Sequence, residues 1–224
     1  MGFSSPLTLL IGLVVLIFSA ILHEVAHGYV ADRFGDPTAR LMGRLTLNPI
    51  PHIDPMMSLA LPLLLLLTGS PIIFGGAKPV PIDPYNLKEG RKDVALVALA
   101  GPLTNVLLAI GASILFHTII FLAPILPNDL YLNIVLNFLY QTLLPIIAYY
   151  NILLAIFNLL PIPPLDGSKI FALLLPEDMA NVYLSFSNIG IFILFFLLLF
   201  PIGGFSLSQA IVHWFSLAKN LLGM

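Results

Sequence analysis

LTLLIGLVVLIFSAILHEVAH, Leu7 to His27, carries no charged side chain until Glu24. Residues four apart on a helix share a face, so His23 and His27 of HEVAH can converge on one metal ion, and Glu24 reaches the same place from one step round. An ionisable trio inside a stretch built for lipid costs several kcal/mol on insertion scales, so drift explains it poorly. The plain alternative is a chance HExxH on a surface helix, and this run offers no soluble surface for one.

Outward from that helix, the whole chain has the same character. Of its 224 residues 59% are hydrophobic and 9% charged, with mean hydropathy +1.03, against about 25% charged in ordinary soluble domains. This predicts an integral membrane protein in contact with the lipid bilayer, folded as a single transmembrane domain over 1–224. No long polar stretch leaves room for a second unit. The net charge of −2 excludes a basic nucleic-acid face. With no cysteine, a metal must be held by His and carboxylate. The N-terminus lacks a basic leader region, so the first run reads as a retained helix.

The expected fold is an all-α polytopic membrane protein of five to six transmembrane helices, with a re-entrant or short segment and a small extended element near the active site. Leu7 to about Ala31 spans first. Met56 to Leu67 is apolar but short against the ~20 residues a spanning helix needs. Ser70 to Asp93 is polar and Pro-rich, and its alternation at Ala77 to Pro81 hints at extended edge backbone. Asp93 to Leu122 and Leu130 to Leu160 span again, the latter interrupted at Pro145. Shorter apolar pieces follow at Ile170 to Leu175, Ile189 to Phe200 and Leu207 to Leu222. Seven of the nine Lys and Arg residues lie in the loops after the first helix and after the short segment. The positive-inside tendency makes both loops cytoplasmic, so the site faces the cytoplasmic side.

A zinc hydrolase holds its ion with three protein ligands and leaves one position for water. Asp166 is the best third ligand, because Pro161, Pro163, Pro164 and Gly167 keep its surroundings non-helical and able to turn the carboxylate inward. The same carboxylate could instead cap the helix that starts near Ser168. His117 and His213 stand in no motif and read as structural. Trp214 and Phe215 read as packing or interfacial anchors.

HEVAH, GPLTN at Gly101 to Asn105 and FNLLPIPPLDG at Phe157 to Gly167 together resemble the site-2 protease family of intramembrane zinc metalloproteases. GRLTLNPIPHIDP (Gly43 to Pro55) and FGGAKPVP (Phe74 to Pro81) are similar to its compact branch without PDZ or CBS domains. The resemblance implies that His23, His27 and Asp166 bind Zn2+ and that Glu24 is the catalytic base. It also implies that Asn105 holds the substrate or the developing oxyanion. Helix-to-helix hydrogen bonding beside Gly101 is the structural reading of Asn105. His52, Gly75 and Gly76 are candidate second-shell or substrate contacts, and Gly76 stands where an aromatic residue is expected. The implied activity is hydrolysis of a peptide bond in or near a transmembrane segment of another protein, in a prokaryotic cell membrane, and a homo-oligomer is compatible with the chain.

Overall fold

The computed structural model describes residues 6–60, 63, 64, 67 and 77–223. Three long helices dominate it: α1 (Pro6–Phe34), α3 (Arg91–Leu122) and α4 (Leu130–Asn158). Between α1 and α3 lies the one-turn α2 (Thr38–Leu41). After α4 come α5 (Asp166–Ala172), α6 (Glu177–Ser185), α7 (Ser187–Leu199) and α8 (Leu207–Leu222).

The three long helices are each apolar and long enough to cross a membrane, and α6 with α7 make a fourth candidate bent by 72°. The expected five to six spans are therefore three to four among the described residues. The 16-residue α8 falls short of a span by length. The short segment lies partly outside the described residues, and Pro55–Ala60 within it forms a π-helical turn.

Small residues let the long helices close on one another. Alanines 95, 98, 100, 109 and 112 and Gly101 are buried on α3, with Ala20, Gly28 and Ala31 on α1 and Ala148 and Ala155 on α4. In lipid, where apolar side chains gain nothing from leaving water, such close backbone contact is what holds helices together. Leu16 packs with Ile146, Tyr150 and Leu154 between α1 and α4. Leu194, Leu207 and Ile211 of α7 and α8 close over Leu153 and Leu160. The proline that interrupts α4 in the sequence does not end it. Pro145 has no N–H for the carbonyl of Gln141, and the π-helical turn Leu139–Leu143 just before it absorbs the mismatch.

The small extended element is not a strand among the described residues, where an isolated bridge pairs Ile202 with Phe205 in a turn. Residues 77–83 run as an irregular strap. Pro79 and Pro81 have no N–H to offer a ladder, and the N–H groups of Lys78 and Val80 are spent on the His52 carbonyl at 2.7 Å and the Glu24 carboxylate at 2.8 Å. Arg44 takes up the carbonyls of Lys78 and Pro79 from the other side.

Candidate metal centre

His23 and His27 lie on one face of α1 and are both buried. The turn after α4 brings Asp166 to them, and a side chain at Gly167 would collide with the Leu159 and Leu160 carbonyls. Asp166 Oδ2 stands 3.1 Å from each Nε2, and the two Nε2 atoms stand 3.0 Å apart. Asp166 is itself the first residue of α5, whose N-cap is Leu165. The second oxygen of Asp166 accepts from Lys169 Nζ at 3.1 Å.

These three atoms repel unless something positive lies among them. His27 Nδ1 is 2.7 Å from the Val97 carbonyl, which can only accept, so Nδ1 carries the proton and Nε2 presents a lone pair. The Val97 carbonyl can accept this bond as well as its helical one because a carbonyl oxygen carries two lone pairs. His23 Nδ1 lies 2.6 Å from Asn105 Oδ1 and is turned the same way. Two imidazole lone pairs and a carboxylate oxygen thus converge. A proton satisfies one pair of them, whereas a divalent cation satisfies all three. Ligand atoms ~2.0–2.1 Å from a tetrahedral zinc stand ~3.3 Å apart, close to the spacing here. Gly101 leaves the necessary volume open, because a Cβ on it would lie 2.6 Å from His23 Nε2 and closer still to that of His27. The donor set, all nitrogen and oxygen with no thiolate, suits zinc.

In front of the triad opens a cleft of about 420 Å³ lined by Glu24, Val80, Asn158, Asp166 and Lys169 among others. Glu24 is half-buried there. Gly28 lets the strap press onto α1, since a Cβ would meet Leu45, Ala39 and Val80 at 2.7–2.9 Å.

The other sequence candidates take different places. Asn105 is fully buried, and besides accepting from His23 its Nδ2 donates to Asn151 Oδ1 at 2.8 Å. Both ends of its amide are engaged behind the ring, which is the helix-to-helix bonding of its structural reading. His52 does not reach the triad: its Nε2 donates to the Thr46 carbonyl at 2.9 Å and its own carbonyl anchors the strap. Burial pushes its imidazole below the ordinary value, and Arg44 adds to the effect. Gly75 and Gly76 lie outside the described residues. His117 is tied to its own helix through the Ser113 carbonyl at 2.8 Å. Asn158 and Lys169, which line the cleft, went unnoticed in the sequence. Asn158 opens the NLLPIPPLDG stretch, a lone amide at the end of an apolar span.

The model of peptidase family M50 matches residues 133–201, which include most of α4 with Asn158, and Asp166. Over 206 residues the chain is 36% identical to YwhC, a proposed zinc metalloprotease of Bacillus subtilis (strain 168), covering 90% of this chain and 86% of that protein. It is 33% identical over 151 residues to Rip2, a proposed zinc metalloprotease of Mycolicibacterium smegmatis, covering 67% of this chain and 52% of Rip2. Rip2 of Mycobacterium tuberculosis (strain Erdman) is 34% identical over 149 residues, 66% of this chain and 51% of that protein. No solved structure matches the chain.

Proposed function

Because the chain belongs to peptidase family M50, the site-2 protease family of zinc metalloproteases, we propose that it cuts a peptide bond in or near a transmembrane segment of a membrane-protein substrate. The observation that carries this reading is the convergence of three acceptor atoms at 3.0–3.1 Å, beside a carboxylate in an open cleft and on helices apolar enough to lie in a bilayer. His23, His27 and Asp166 hold the zinc. When bound, zinc supplies Lewis-acid chemistry, making water acidic and polarising a carbonyl.

The residues of the chain do the rest. The Val80 N–H grips one Glu24 oxygen and so aims the carboxylate at the cleft. Glu24 takes the proton from the attacking water and later delivers it to the leaving amine. Asn158, the amide that lines the cleft, meets the carbonyl oxygen as it gains charge, and Lys169 contributes a positive field from the rim. A helical substrate hides its carbonyls in hydrogen bonds, so it must unwind before attack. Segments with Gly or Pro near the cut are therefore preferred.

The basic loops support a site on the cytoplasmic side, in what we take to be a prokaryotic cell membrane. The segment around 56–67 and the helices after Asp166 complete a domain of five to six membrane segments. Cleavage of a model transmembrane substrate, measured together with zinc content, tests the assignment. Glu24→Gln keeps zinc and loses cleavage, whereas Asp166→Ala loses both. Undiminished cleavage by Glu24→Gln would refute the mechanism.

A further inference from the structure

Behind His23 a chain of buried side chains crosses the bundle from α3 to α4 to α1. His23 Nδ1 meets Asn105 Oδ1 at 2.6 Å, Asn105 Nδ2 meets Asn151 Oδ1 at 2.8 Å, and Asn151 Nδ2 meets Ser19 Oγ at 2.9 Å. Asn105 and Asn151 are 0% exposed and Ser19 4%, so bulk solvent does not compete for these bonds. Asn151 Nδ2 also lies 2.9 Å from the Ile147 carbonyl one turn back on α4. We propose that Asn151 is a positioning residue which, through Asn105, dictates the nitrogen of His23 that faces the metal.

The polarity of the chain can run only one way. The Ile147 carbonyl accepts and cannot donate, so the NH2 end of Asn151 must face it and the oxygen must face Asn105. That oxygen requires the NH2 end of Asn105, which turns the Asn105 oxygen to His23 and requires a proton on Nδ1. The lone pair is then left on Nε2, among the other two ligand atoms. Without the relay, His23 has a competing state: a proton on Nε2 would donate to Asp166 Oδ2, 3.1 Å away, and close the triad to a cation. His27 needs no such relay, because its Nδ1 rests on the backbone carbonyl of Val97. The two rings of one site are thus oriented by different means, one by a backbone atom and one by a side chain on another helix.

The inference rests on the metal-centre reading above, but its first test needs neither metal nor activity. The full chain, metal-free, in lipid at alkaline pH and 15N-labelled at histidine, reports the tautomer of each ring by NMR. The expected result is Nδ1–H for both rings in the wild type. In Asn151→Leu, His23 gains the Nε2–H form while His27 stays as it was. An Nε2–H His23 in the wild type overturns the proposal whether or not the variant folds. Zinc affinity gives the second arm. Asn151→Leu weakens it about 10- to 100-fold, as loss of outer partners does at other sites, and adding Asn151→Leu to Asn105→Ala costs nothing further. A variant that binds zinc within about twofold of wild type, with His23 unchanged, also overturns it. A wild-type chain that takes up no zinc would sink the metalloprotease reading instead, and leaves the tautomer result standing on its own.

Discussion

The site has two walls built on opposite plans. Behind the triad, α3 and α4 present side chains from rigid helices, with Gly101 making room and Asn105 and Asn151 fully buried. In front, the strap at 77–83 has no regular structure and is fastened by backbone atoms to Glu24, His52 and Arg44. Geometry that must stay fixed is placed on helices and supported by packing. The strap, held by bonds that can be exchanged, is the wall suited to contacts that must come and go. Changes at the back wall should therefore register as lost metal affinity, and changes at the front as lost turnover with the metal retained.

The largest effect is expected at the ligand shared by both walls. Asp166→Ala removes one of three donors, so zinc affinity falls on the order of a hundredfold to a thousandfold and cleavage disappears, as chelator competition and substrate digestion will register. Glu24→Gln comes next. Turnover drops about 10²- to 10⁴-fold, the range for a positioned acid or base, with zinc content unchanged. That split is the comparison in its purest form, and a parallel loss of zinc in Glu24→Gln would break it.

Smaller effects sharpen it. Gly101→Ala places a methyl group against both imidazoles, and overpacking of this kind costs about 1–3 kcal/mol. Zinc titration should show that cost as weaker binding, and a change in turnover alone would mean that the back wall is softer than described. Arg44→Met unfastens the strap from two carbonyls worth about 1 kcal/mol each. Turnover should fall severalfold at constant zinc affinity.

The smallest effect lies where the loops meet. Asp36 is buried and accepts from Thr38, the Asp83 N–H at 2.7 Å and the Asn86 amide at 3.1 Å. Burial opposes its ionisation, but these donors outweigh that and hold the carboxyl below its ordinary value of 3.8. A carboxyl lowered on folding contributes stability that is complete above the unfolded value and drains away as pH falls through the lower folded one. Thermal unfolding should therefore lose stability from about pH 4 downward, and Asp36→Asn should flatten that part of the profile.

Much of the site was legible because its chemistry is scarce in this chain. With 9% charged residues and no cysteine, HEVAH and a proline-framed aspartate leave few other ways to hold a metal, and the structure brings those residues together. What the sequence could not show was which way each amide turns. Asn105 shares a face of α3 with Gly101, but whether it meets substrate or a neighbour depends on where α4 stands, and Asn151 sits in NILLAIF with no pattern to mark it. The alternation at Ala77 to Pro81 hinted at extended edge backbone, but among the described residues it forms no strand, and Pro79 and Pro81 deny it the donors a ladder needs. The count of five to six spans rested on apolar length, and among the described residues three helices, or four with the bent pair α6 and α7, are long and apolar enough to cross a membrane.

Zinc-edge X-ray absorption on the purified full chain in lipid addresses the central claim most directly. Two imidazole nitrogens and carboxylate or water oxygens, all at about 2.0–2.2 Å, is the expected spectrum, with an oxygen changed in Asp166→Ala and one imidazole lost in His27→Ala when these weakened forms are loaded with excess zinc. A zinc ion bound through a single imidazole, or one whose surroundings are untouched by Asp166→Ala, would contradict it.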